Sequence, residues 1–225
     1  MKKFAVIVAG GVGSRFEDSV PKQFSLLNGK PVIIHTIEAF AKVSNPPEII
    51  LVINPNHVDY WESLKESHNF KIPHQVVHGG VTRFESVKNG LRMVSPNSLV
   101  ALHDAARPLV SKQIIKKSFK EAGKLGNAVV AVYCKDSLRR DEGLITIAVD
   151  RNKFYMVQTP QTFQSDLIKM AYDHPYQIHF TDDASVLESM GEKINLIMGS
   201  HENLKLTYPE DSVIAEALLN HRKTK

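Results

Sequence analysis

An unbroken apolar run, Phe4-Ala5-Val6-Ile7-Val8-Ala9, stops abruptly at Gly10-Gly11-Val12-Gly13. A run this rich in β-branched residues suits a strand buried on both faces, as central strands of parallel sheets are. Where it stops, the missing side chains let backbone N–H groups turn towards one point and cradle an anion. Arg15 and Lys22 follow, two fixed cations spaced to fold back over that point. A tight turn using glycine only for its geometry is the alternative, and the two cations favour the phosphate cradle. The Walker pattern would need Gly-Lys-Ser or Gly-Lys-Thr at the loop's end, and the dinucleotide fingerprint a third glycine where Phe16 stands. Neither motif is present.

With 225 residues, 43% of them hydrophobic, the chain can bury a full core and is expected to form one domain spanning 1–225. Its 28 basic residues against 24 acidic ones, with no long basic block, are only a mild excess, which an anionic small substrate explains as well as nucleic acid would; no nucleic-acid partner is expected. Cys134 is the sole cysteine, so an intrachain disulfide is impossible and a zinc site would need mostly histidine and carboxylate ligands. A cytoplasmic location is expected. The start, Met1-Lys2-Lys3 and its short apolar run, leads into glycines and charges instead of a cleavage site, and no run approaches bilayer length. No membrane association is expected.

Strand and helix patterns alternate along the chain. Pro31 suits the first turn of a helix whose stripe is Val32, Ile33, Ile34, Ile37, Phe40 and Ala41. Strands are expected at 48–53, 73–77, 99–102 and 128–133, and helices at 57–67 and 82–94, the latter with Val87, Leu91 and Val94 inward. Ser111 should cap a helix carrying Ile114, Ile115, Phe119 and Ala122 on one side. The segment 135–150 breaks the rhythm: a charged start, an Asp141-Glu142-Gly143 turn and alternating Leu144-Ile145-Thr146-Ile147 predict a protruding hairpin arm suited to a partner subunit. Helices near 164–172 and 182–190, a strand at 194–197 and a helix from Pro209 complete an α/β fold with a mainly parallel twisted sheet.

Ligands of such sheets bind beyond the carboxyl ends of the strands. The glycine loop is one such place. A second is His78-Gly79-Gly80-Val81-Thr82-Arg83 with Ser86 one turn on, where glycine would admit a flat base and the Ser86 hydroxyl could bond its edge; a plain loop with Thr82 as cap is the equal alternative. The third is His103-Asp104-Ala105-Ala106-Arg107-Pro108, in which Asp104 could hold Mg²⁺ beside a triphosphate or close the turn as an ion pair with Arg107. The fourth is Val149-Asp150-Arg151-Asn152 with Thr159-Pro160-Gln161-Thr162-Phe163, and the fifth Asn203-Leu204-Lys205-Leu206-Thr207, preceded by Thr181-Asp182-Asp183. Arg151 and Lys205, taken singly, resemble ordinary surface cations.

Taken together these stretches resemble the 2-C-methyl-D-erythritol 4-phosphate cytidylyltransferase family, over about Ala5 to Ala215. AGGVGSRF with PKQF marks the wider sugar-phosphate nucleotidylyltransferases, ribitol-5-phosphate cytidylyltransferases included. HDAARP, VDRN, TPQTF and TDDASVLE resemble the methylerythritol branch. The resemblance implies a Rossmann-like nucleotidyltransferase fold, CTP and methylerythritol phosphate as substrates, Mg²⁺ as cofactor and a homodimer. It implies that Arg15 and Lys22 bind the triphosphate and stabilise its charge, and that Ala9, Gly10, Gly11, Gly80 and Ser86 hold cytidine. Asp104 would lie by Mg²⁺ and ribose. Arg107, Arg151, Thr159 and Lys205 would hold or aim the acceptor phosphate, Arg151 from the arm of a second subunit. Three positions depart from the family pattern: Gly10 for alanine, Val81 for an acidic residue, and Ser137 for a threonine in substrate contact, which keeps the hydroxyl. An enzyme acting on ribitol 5-phosphate, and a nucleotide-binding module without turnover, are the competing readings.

Overall fold

The computed structural model describes residues 1–10 and 21–223. In chain order its strands are β1 (Lys3–Ala9), β2 (Leu26–Leu27), β3 (Lys30–Pro31), β4 (Glu48–Ile53), β5 (Gln75–His78), β6 (Leu99–Asp104), β7 (Asn127–Tyr133), β8 (Leu138–Asp141), β9 (Thr146–Val149), β10 (Tyr155–Gln164) and β11 (Leu196–Met198). The helices are α1 (Val32–Ala41), α2 (Val58–Ser67), α3 (Arg83–Leu91), α4 (Lys112–Leu125), α5 (Ser165–Asp173), α6 (Asp183–Glu188) and α7 (Pro209–Lys223). Seven strands form one sheet in the order β11-β7-β10-β6-β1-β4-β5. All neighbours are parallel except β10, which runs antiparallel to both β6 and β7.

The apolar run of β1 lies where its composition requires, between β6 and β4. Its side chains alternate between two cores. Ala5, Ile7 and Ala9 pack with Ile33, Ile37 and Phe40 of α1, Trp61 of α2 and Ile115 and Phe119 of α4. Phe4 and Val6 face Phe84, Val87 and Leu91 of α3 and Ile168 and Tyr172 of α5. Each buried side chain of this size contributes roughly 1.5–3 kcal/mol by leaving water, so the sheet centre is fixed from both faces. A smaller cluster of Leu27, Val32, Ala106, Leu109, Leu206 and Ala215 fastens α7 to the body.

The expected elements are present with small changes of boundary. The Ser111 side chain accepts the Ile114 N–H at 3.2 Å and caps α4 as expected. Pro31 precedes α1 at the cap position, paired in β3, and is not in the first turn. The arm is a two-stranded hairpin of β8 and β9, with Gly143 at φ +85° in its turn. Besides the two-residue strands β2 and β3, the strand that periodicity does not announce is β10. It holds TPQTF, and its buried residues include Gln158, Thr159, Gln161 and Thr162.

Helix α3 sits unusually close to the sheet. A Cβ on Gly90 would come within 2.6 Å of Val6 Cγ1 and 2.8 Å of Val52 Cγ2. Alanine is the better helix former by about 1 kcal/mol, yet here it would wedge α3 away from two close-packed strands. Gly90→Ala is expected to destabilise the protein by about 1–3 kcal/mol in urea titration; a stabilised variant would contradict the close packing.

Candidate active site

The four parallel strands β5, β4, β1 and β6 end nearly in register: Ala9 pairs with Ile53, Ile53 with His78, and Val8 with Asp104. That alignment sets Ala9-Gly10, Asn54, Gly79-Gly80 and Asp104 in one row at the carboxyl edge. All of these but Gly79, with Lys22, Thr82, Arg83, Ser86 and Lys205, line a cavity of about 270 Å³. The PKQF stretch returns to this edge because Gln23 Nε2 donates to the Ala9 carbonyl at 2.9 Å and Phe24 is buried against His57 and Tyr60. Lys22 is thereby placed on the cavity wall. Arg15 and Gly11 lie outside the described residues.

The Gly79-Gly80 turn is held from within. Gly79 N–H donates to the Ile53 carbonyl at 2.7 Å, and Gly80 N–H to Ser86 Oγ at 3.0 Å. Ser86 Oγ spends its proton on the Thr82 carbonyl, so what it can still offer a ligand is a lone pair. Thr82 and Glu85 form a reciprocal capping box on α3, and a Cβ on Gly80 would stand 2.3 Å from that of Glu85. The cap and the ligand wall are therefore the same few residues.

A second cavity of about 270 Å³ adjoins the first, lined by Arg107, Gln158, Thr159, Gln161, Thr181 and Asp182. Arg83, Asp104 and Lys205 line both cavities and form the wall between them. Strand β10 builds this side with its polar side chains. Gln161 donates to Asp182 Oδ2 at 2.9 Å and accepts the Ala184 N–H at 2.7 Å. Gln158 bonds the Ser200 carbonyl, while Asn203 Nδ2 donates to the Thr159 carbonyl at 2.8 Å. Leu206 N–H then bonds the Ala106 carbonyl at 2.9 Å, which delivers Lys205 to the wall.

Asp104 is the electrostatic centre. Its Oδ2 lies 2.8 Å from Lys205 Nζ and 3.8 Å from Arg107 Nε, and its Oδ1 3.4 Å from Arg83. Burial alone would raise its proton affinity, but Arg83, Lys205 and Arg107 together hold it far below the usual carboxylate range. Arg83 is in turn held by both oxygens of the fully buried Asp183, each at 2.7 Å. Three cations against two carboxylates leave the wall with one positive charge, suited to phosphate.

Arg107 closes the turn as much as it faces the second cavity. Its side chain is 11% exposed, and it donates to the Asn203 carbonyl at 2.8 Å. The ion pair with Asp104 that the sequence left open is therefore present, at 3.8 Å, alongside the shorter contacts of Asp104 with Arg83 at 3.4 Å and Lys205 at 2.8 Å. Thr159 accepts the Asp104 N–H at 3.1 Å and meets His103 Nδ1 at 3.0 Å. Arg151 and Ser137 line neither cavity of their own chain; Arg151 sits at the base of the arm and bonds the Lys135 carbonyl. Arg83, Gln158, Gln161, Asp182 and Asp183 are site residues that the sequence did not single out by role. For Arg83 a signal existed, its place one residue beyond a cap that follows a glycine turn at a strand end.

The family model for 2-C-methyl-D-erythritol 4-phosphate cytidylyltransferase matches residues 4–221. The chain belongs to this family. It is 47% identical over 222 residues to the enzyme so named from Azobacteroides pseudotrichonymphae genomovar. CFP2, covering 97% of this chain and 99% of the relative. It is 42% identical to that of Bacteroides thetaiotaomicron, over 97% of this chain and all of the relative. Among solved structures it resembles 4-diphosphocytidyl-2C-methyl-D-erythritol synthase from Anaerococcus prevotii at TM-score 0.83 and 27% identity, covering 97% and 96% of the two chains. The family's nucleotidyltransferase fold is thus the fold of this chain.

Beneath the wall lies His103, fully buried, with its ring edge against Phe40. Its Nε2 faces the Arg107 carbonyl at 3.2 Å, which can only accept, so the ring proton sits there and the Thr159 hydroxyl donates to Nδ1. Burial, the largest influence, lowers its proton affinity from 6.5 to about 4. Between those pH values the unfolded chain binds a proton here that the folded chain refuses. Stability present above pH 6.5 is therefore lost as pH falls towards 4, by about 3 kcal/mol from this group. His35 and His74, also lowered by burial, act in the same direction, so the test is a difference: urea titrations of His103→Gln should show a shallower loss between pH 7 and 4.5 than wild type. Equal slopes would contradict the neutral buried imidazole.

Proposed function

We propose that the two adjoining cavities hold the two substrates of a cytidylyl transfer, and that the wall they share is where the phosphates meet. As a member of its family, the protein is a CTP-dependent nucleotidyltransferase that converts CTP and 2-C-methyl-D-erythritol 4-phosphate to 4-diphosphocytidyl-2-C-methyl-D-erythritol and pyrophosphate, in isoprenoid biosynthesis. CTP occupies the cavity of Ala9, Gly10, Gly80 and Ser86, and the acceptor the cavity of Thr159 and Gln161. The observation that carries this assignment is that Arg83, Asp104 and Lys205 line both.

The acceptor phosphate is already an anion near neutral pH and needs no general base, only relief from repulsion as it approaches the α-phosphorus. A new P–O bond forms there, the bond to the bridging oxygen breaks, and pyrophosphate leaves with that electron pair. Lys22 faces the nucleotide and Lys205 the junction, so the pair supplies positive charge on both sides of the reacting phosphorus. Arg15, in the same glycine-rich loop, joins Lys22 in this reading. Lys205 is held ready by Asp104 and can exchange that carboxylate for phosphate.

Asp104 is the only carboxylate among the described residues of the nucleotide cavity. No group of three or more metal-binding side chains exists among the described residues. That donor set suits Mg²⁺, which keeps several waters and binds through one or two carboxylates plus substrate phosphates. Bound there, it would neutralise charge on the triphosphate. The arm supports a homodimer in this reading: Leu144 and Ile145 are exposed at its tip, and Phe154, Tyr155 and Met156, which follow the arm in the chain, are exposed as well. Arg151, at its base, would then serve the acceptor cavity of the other subunit. No helix of the described residues is long and apolar enough to cross a membrane.

The test is pyrophosphate release by the purified protein with Mg²⁺, comparing methylerythritol 4-phosphate with ribitol 5-phosphate, and CTP with ATP, GTP and UTP. Release with methylerythritol 4-phosphate and CTP alone is expected; preference for ribitol 5-phosphate would overturn the acceptor, and silence with every pair would favour a binding module. Lys22→Ala and Lys205→Ala should each lower kcat by roughly a hundredfold or more with the fold retained, and near-normal turnover in either would sink the mechanism.

A further inference from the structure

Behind the wall, a chain of buried polar contacts runs from the core to the junction of the two cavities. Tyr172, 2% exposed in the aromatic cluster with Phe84, donates its hydroxyl to Asp183 Oδ1 at 2.6 Å. Asp183, wholly buried, holds Arg83 through both carboxylate oxygens at 2.7 Å. Arg83 Nη2 reaches Asp104 Oδ1 at 3.4 Å, and the side chain, 35% exposed, lines both cavities. A guanidinium has five N–H donors, and Asp183 takes two.

We propose that Arg83 is a further cation of the transfer step, contacting the phosphate that passes between the cavities, with Asp183 and Tyr172 as positioning residues that fix its plane. The inference rests on the assignment of the two cavities to nucleotide and acceptor. Burying a carboxylate completely is costly unless it is paired and hydrogen-bonded. Here both requirements are met by one arginine and one tyrosine from separate helices, α3 and α5, and the guanidinium is thereby immobilised before any ligand arrives. A preorganised cation of this kind stabilises charge that develops only during transfer, so it raises kcat more than it tightens ground-state binding. The arrangement also gives a physical role to TDDASVLE: Asp182 caps α6 and accepts from Gln161, while Asp183 aims Arg83.

Lysine at position 83 keeps the charge but cannot span both Asp183 oxygens and still reach a phosphate. For Arg83→Lys, pyrophosphate release from CTP and methylerythritol 4-phosphate should fall about a hundredfold in kcat, with KM for each substrate within about threefold of wild type. Wild-type kcat in the folded variant would overturn the proposal, as would a loss confined to KM. If Arg83→Lys does not fold, Tyr172→Phe decides: it removes one buried hydroxyl remote from substrate and should lower kcat roughly tenfold through misplacement of Arg83, and an unchanged kcat would overturn the proposal. A wild-type protein silent with this substrate pair would instead overturn the functional reading, and this inference with it.

Discussion

The site depends on one buried carboxylate surrounded by cations. Asp104 ends a strand whose every residue is buried, and Arg107 reaches it from the turn that follows, Lys205 and Arg83 from two other parts of the chain. Removing Asp104, the buried carboxylate, would leave the cations around it uncompensated and be strongly destabilising, whereas the intact group adds little net stability. The cluster is thus better understood as fixing geometry. It ties the loop after β11, the start of α3 and the HDAARP turn to one point, and leaves that point positively charged.

The geometry originates in the sheet. Because β1, β4, β5 and β6 end close to register, their following loops converge and their glycines form one wall of the nucleotide cavity. The antiparallel β10 then provides what a purely parallel sheet would not, a row of amide and hydroxyl side chains running past the end of β6. Those side chains bond the loops around Asp182 and Asn203, so the acceptor cavity is walled by loops pinned from beneath.

Much of this was legible in the sequence. Phe4–Ala9 is recognisable as a central strand because burial on both faces demands an unbroken apolar run, and Glu48–Ile53 follows the same rule. Gly80, Ser86, Asp104 and Lys22 were legible through glycine turns and strand ends, Lys205 only through the family resemblance, and all five meet on one cavity. Strand β10 was not legible, since its buried positions are mostly glutamines and threonines whose partners lie 21 to 56 residues away, and its proline falls in the register shift between Val157 and Gln161. Arg83 was hidden for a related reason: its partner Asp183 is 100 residues distant, and its place just beyond the Thr82 cap was the one local signal.

The central claim is that the shared wall of Arg83, Asp104 and Lys205 is the place of transfer. The most direct measurement is a crystal structure of the protein with CTP and Mg²⁺. Cytosine against Gly80 and Ser86, with the α-phosphate within hydrogen-bond reach of the wall, is the predicted result. A base seated in the cavity of Thr159 and Gln161, or an α-phosphate remote from all three wall residues, would contradict it.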